Sequence, residues 1–85
     1  MANDAVDMAR RDLASRLGIA ESQITTERVE EVDWRDTSLG CPQPGRMYAQ
    51  VITPGYRIIL QANGKTYEYH SDQRGNVVFC ATPSE

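Results

Sequence analysis

No apolar run in the sequence approaches the roughly twenty residues that cross a bilayer as a helix, so insertion of this chain into a membrane is not expected. There is no CxxC pair, and two cysteines with one histidine fall short of the four ligands of a closed zinc tetrahedron; no metal and no other cofactor is expected. The glycines fall at turns, and none opens a glycine-rich loop from a strand into a helix, which removes the usual phosphate cradle. Nine Lys and Arg against twelve Asp and Glu leave a net charge of −3, with the basic residues scattered, so nucleic acid is excluded as a partner. The single histidine, His70, lies on a strand as a surface residue opposite Arg57. No base and orienting group are spaced around a nucleophile, and the chain reads as a non-enzyme. The opening Met-Ala-Asn-Asp lacks the basic and apolar regions of a signal peptide; an exported chain would carry its signal segment upstream.

What is present is an ordinary globular composition, 40% hydrophobic and 25% charged, over 85 residues. That length bounds the chain to one domain with one modest core, and a covalent tie would widen its folding margin. Cys41 sits in an irregular stretch and Cys80 near the C-terminus, both places where a cross-link has mechanical value. They pair in an oxidising compartment and stay buried thiols in a reducing one; chain size and placement favour the bridge.

The pattern predicts an α+β fold, with an N-terminal amphipathic helix packed on an antiparallel sheet of three to four strands and a long ordered loop tied by one disulfide. Asn3 or Asp4 caps a helix over about 4–17, with Val6, Ala9, Leu13 and Leu17 at three- and four-residue spacing and Gly18 as the helix-ending residue. Strands are expected over about 24–34, 47–52, 56–62, 65–70 and 77–80. In the first of them Val29 breaks the parity of Ile24, Thr26, Val32 and Trp34, which calls for a bulge near Glu30 and Glu31 or a contact on the second face. Glu27, Glu30, Glu31 and Asp33 read as a solvated face. Asn63-Gly64 is the residue pair of a two-residue type I′ hairpin turn, and it fixes the register. Ile58, Leu60, Tyr67 and Tyr69 share the helix-facing side, while Arg57, Ile59, Gln61, Thr66, Glu68 and His70 share the other. A polar tail frays from Thr82.

Between Trp34 and Arg57 the sequence is least regular. Asp36, Thr37, Ser38 and Gly40 are turn formers, Pro42 and Pro44 restrict their neighbours, and Leu39, Met47 and Tyr48 supply local apolar contact. An ordered loop over 35–46 follows, then the short edge strand over 47–52 and a Pro54-Gly55 turn. The combination W-x-D-x-S-L-G-C-P-x-P-G, then Y-A-Q-V-I-x-P-G-Y-R-I, then Y-E-Y-H resembles a family of small bacterial domains of exported proteins and lipoproteins, whose activity is not established. The resemblance runs from the helix through Cys80 and carries over no catalytic or ligand residue. It implies an extracytoplasmic setting, which strengthens the pairing of Cys41 with Cys80. Arg35 stands where the resemblance implies a proline, so the turn after Trp34 lacks that constraint.

The function expected on these grounds is an extracytoplasmic interaction module acting through the Trp34–Tyr56 region on a protein, peptide or glycan, with Leu39, Arg46, Tyr48 and Tyr56 as binding residues. The alternative is a protease inhibitor whose rigid proline-bounded loop inserts Arg46 or Leu39 into the specificity pocket of a secreted protease. Trp34 is expected in the core, and Tyr48 and Tyr56 either in the core or on the binding surface.

Overall fold

The computed structural model describes residues 2–80, so the tail from Thr82 lies outside the described residues. Helix α1 spans Ala2–Leu17 and reaches further toward the N-terminus than capping by Asn3 or Asp4 would allow; Asp4 lies in its first turn, where a negative charge suits the positive helix end. Its Ala5, Ala9 and Leu13 repeat every four residues and are fully buried. Gly18, at φ +69°, ends the helix, with its N–H and that of Ile19 both donating to the Ala14 carbonyl. A single 3₁₀ turn at Glu21–Gln23 leads into the sheet.

Four antiparallel strands follow as a meander in the order β1-β2-β3-β4: β1 Thr25–Trp34, β2 Thr53–Ala62, β3 Lys65–Asp72 and β4 Val77–Cys80. The β2–β3 turn has positive φ at both Asn63 (54°) and Gly64 (77°), the requirement of a type I′ turn, and the pairs Ile58↔Tyr69 and Leu60↔Tyr67 follow from it. Asp72 organises the β3–β4 turn. Its carboxylate accepts from the N–H groups of Arg74 and Asn76 and from the Asn76 amide. Burial raises the Asp72 pKa, but these hydrogen bonds outweigh it and hold the carboxyl below its ordinary value.

Three sequence expectations are corrected here. Residues 47–52 form no strand, and Pro54-Gly55 is no turn but part of β2, opposite Asp33 and Val32 of β1. The irregularity of β1 falls between Thr26 and Arg28 rather than at Glu30 and Glu31. That earlier slip returns Val29 to the helix-facing side opposite Ile58, and puts Arg28, Glu30, Val32 and Trp34 on the reverse.

The main core lies between α1 and one face of the sheet, where Ala5, Ala9 and Leu13 meet Ile58, Leu60, Ala62 and Tyr69. At its rim the Tyr69 hydroxyl donates to Asp12 (2.7 Å), which also accepts from Arg16. Burial first, and that hydrogen bond second, push the phenol well above its ordinary range. The chain between β1 and β2 folds over the opposite face.

Candidate functional site

That opposite face carries Trp34, Arg57, Glu68, His70 and Cys80, one parity of each strand. Residues 35–52 are fastened onto it at several points. Asp36 accepts from both the N–H and the hydroxyl of Ser38 and so closes a tight turn. Leu39 follows at φ 58°, with its side chain 3% exposed and its carbonyl 2.5 Å from His70 Nδ1. Gly40, at φ +74°, lies flat on the rings below: a Cβ there would come 2.8 Å from the Trp34 ring and 3.3 Å from His70 Nδ1, so any side chain must displace them. Cys41 is joined to Cys80 at the end of β4, with Cα atoms 6.0 Å apart. The returning limb is clasped where Thr37 and Ala49 exchange two hydrogen bonds of 3.0 Å each.

Beneath this cover the polar groups form one line. The Trp34 indole donates to the Ser71 carbonyl (2.9 Å) and stacks on His70, with centroids 4.3 Å apart and planes 21° from parallel. Gly55 lies beside that carbonyl, and a Cβ there would run into the Ser71 backbone. His70 Nε2 meets Glu68, which receives two hydrogen bonds from Arg57, and Arg57 reaches on to Glu30. Both ring nitrogens of His70 face oxygen atoms, Nδ1 the Leu39 carbonyl and Nε2 the Glu68 carboxylate. Glu68 is buried, which raises its pKa; hydrogen bonds from Arg57 and His70 overcome that and hold it below its ordinary value.

Of the expected binding residues, the structure brings Arg46 and Tyr48 to the surface and takes the other two inside. Leu39 packs under its own loop, and Tyr56, 9% exposed, belongs to the core on the helix side. His70, expected on the surface, is 6% exposed because the loop covers it. Tyr48 is half-buried, and its hydroxyl accepts from the Gln43 N–H, bracing the outer limb. Beyond it Met47, Val51 and Ile52 are 97%, 54% and 61% exposed. Sequence reasoning missed these three: it gave Met47 a local apolar contact within the loop, which its exposure overturns, and assigning 47–52 to a strand spread Val51 and Ile52 over two faces.

The outer limb and the β3–β4 turn wall an open cleft of about 810 Å³, with Tyr48, Val51, Ile52 and Val78 as apolar lining and Arg46 and Arg74 as cations. Neither arginine forms an ion pair among the described residues. Asp72, the cleft's acid, is committed to its own turn. The site therefore offers apolar surface beside unpaired positive charge on a chain whose net charge is negative. No helix among the described residues is long and apolar enough to cross a membrane.

No curated protein and no solved structure matches the chain. A family model, "Domain of unknown function (DUF8738)", matches residues 6–80, from the first turns of α1 to the disulfide at the end of β4, and the chain belongs to that family.

Proposed function

We propose that the domain is a non-catalytic, extracytoplasmic binding module that engages a protein or peptide through residues 46–52 and the adjoining cleft. The observation that carries this is the exposure of Met47, Val51 and Ile52: of five large apolar side chains exposed among the described residues, three lie within the six positions 47–52 of one loop. Isolated exposed apolar groups are ordinary, whereas a cluster on a segment anchored by a disulfide and the Thr37–Ala49 clasp marks an interaction surface. Arg46 and Arg74 at the rim favour a partner that sets acidic groups around an apolar centre. The disulfide in so small a domain supports the extracytoplasmic setting. The test is capture from envelope fractions by the wild-type chain and by a Met47→Ser, Val51→Ser, Ile52→Ser variant. A partner held by the first and lost by the second is expected; equal capture would move the site elsewhere.

A narrower reading, protease inhibition, is favoured by one feature: Arg46 is exposed at the end of a Gln43–Arg46 turn in a loop pinned at Cys41. Leu39 is no candidate for that role, since its side chain is buried. On this reading a trypsin-like enzyme is inhibited by the wild-type chain and escapes Arg46→Ala with the fold unchanged. A panel of such enzymes unaffected by the wild-type chain would dispose of it.

A further inference from the structure

Cys41 from the loop, His70 from β3 and Cys80 from the end of β4 each place one potential ligand atom within 4.8 Å of the others. The cysteines are together because they are bonded, so His70 is the informative member. It is not tied to them by covalent chemistry, yet its ring lies in the same buried space.

We propose that the reduced domain binds one thiophilic d¹⁰ cation, Cu⁺ in preference to Zn²⁺, through Cys41, His70 and Cys80, so that disulfide and cation are alternative fastenings of the loop to the sheet. In the disulfide form neither sulfur carries thiolate charge, and the trio holds no cation. Reduction supplies two soft thiolates beside an imidazole, a donor set suited to Cu⁺. Three protein ligands hold Zn²⁺ only with a water in the fourth position, whereas, with two soft thiolates among them, they complete a trigonal Cu⁺ site.

The surroundings are those of a supported ligand. Glu68 holds His70 Nε2 and is itself held by Arg57, the carboxylate–histidine pairing that fixes the orientation and raises the basicity of a metal-bound imidazole. Nδ1 is then the nitrogen left to ligate, and it faces Gly40, next to Cys41. Nδ1 now faces the Leu39 carbonyl at 2.5 Å, so ligation through it requires Leu39 to draw back with its loop, which opening of the Cys41–Cys80 bond permits. Trp34 stacked on the ring limits its rotation. His70 and Cys80 are buried and Cys41 half-buried, which leaves the loop side as the route of entry.

Reduction by a phosphine consumes one water and gives two thiols and the phosphine oxide. Each thiol releases a proton as Cu⁺ binds, and copper stays in the +1 state. The experiment is anaerobic titration of the phosphine-reduced full chain with Cu⁺ against a chromophoric Cu⁺ chelator, with the oxidised chain alongside. One Cu⁺ per reduced chain is expected, with thiolate-to-copper absorption, and none for the oxidised chain. Cys41→Ser should abolish the site. His70→Gln should weaken it by more than tenfold, and Glu68→Gln by about tenfold, as loss of an outer-shell partner does. If the reduced chain is unfolded, Cu⁺ must restore the near-ultraviolet circular dichroism of Trp34. Equal affinity in His70→Gln, or a reduced chain that neither binds Cu⁺ nor regains that signal, overturns the proposal. These readouts concern no partner, so they stand apart from the binding function above.

Discussion

On one face of the sheet, α1 sets Ala5, Ala9 and Leu13 against Ile58, Leu60 and Tyr69; on the other, a segment without regular structure sets a disulfide, an indole–imidazole stack and a line of charged groups. The first cover draws its stability chiefly from apolar area removed from water, which redox state and mild acid do not change, the Asp12 carboxylate bonded to Tyr69 and Arg16 lying only at its rim. The second rests on a bond that can be reduced and on a carboxylate that can be protonated. A sheet with one unconditional and one conditional cover can keep its strands while the loop over them changes state, and the exposed side chains at 46–52 lie on the conditional side.

The sharpest way to break the comparison is to remove the disulfide. Cys41 and Cys80 are 39 positions apart. Chain-entropy bookkeeping for a loop of that length gives about 4 kcal/mol, a large part of the 5–15 kcal/mol typical of folded domains. Cys41→Ser with Cys80→Ser should lower unfolding stability in urea by about that amount. A loss below about 1 kcal/mol would mean that residual denatured-state structure offsets the cross-link and that the hydrogen bonds at Leu39 and Ala49 hold the loop unaided.

The opposite face is probed by Leu13→Ala, which opens a cavity where α1 meets the sheet and should cost about 3 kcal/mol. Here the comparison is sharpened by condition. The cost should be similar before and after reduction, if the two covers contribute independently. A double-mutant cycle with the cysteine pair that departs from additivity by more than about 1 kcal/mol would show that the faces communicate through the sheet.

How far each face was legible in the sequence follows the same division. The helix face depends on local signals: three- and four-residue spacing up to Gly18, and an Asn63-Gly64 turn whose register alone puts Ile58 beside Tyr69. On the loop face, parity placed Arg57, Glu68 and His70 on one side but left open what covers them, because the covering residues are some thirty positions away in the chain. His70 read as exposed for that reason. The alternation over 47–52 misled because alternation describes a strand only when a neighbour is there to pair with it, and among the described residues the Ala49 backbone pairs with Thr37 alone. Pro54-Gly55 has the composition of a turn, yet it pairs with β1 at the one strand position where the Ser71 backbone leaves no room for a Cβ.

Acid should affect the loop face first. Glu68 has a folded pKa below its ordinary value of 4.5, so the stability it contributes is present above that value and is lost as pH falls through the depressed folded one. Trp34, stacked on the neighbouring His70, reports this face, and its near-ultraviolet signal should change below pH 4.5 before far-ultraviolet helix and strand signals do. Glu68→Gln should flatten that early limb of the acid transition. Coincident transitions in wild type and variant would place acid sensitivity elsewhere, Asp72 and its turn being the next group to examine.

The smallest effect on stability is expected where the largest effect on function is proposed. Met47, Val51 and Ile52 are exposed, so replacing them with serine removes little buried apolar area and should change unfolding stability by no more than about 0.5 kcal/mol. The loop's fastenings at Asp36, Leu39, Cys41 and Ala49 are untouched by these changes. The same substitutions should abolish capture of a partner that seats apolar groups against Tyr48 and Val78 in the cleft. Raised salt should weaken capture by wild type if Arg46 and Arg74 meet acidic groups on that partner. A stability loss above about 1 kcal/mol in the serine variant would show that these side chains pack against the domain in solution, and the conditional face would then be a cover without a reading surface.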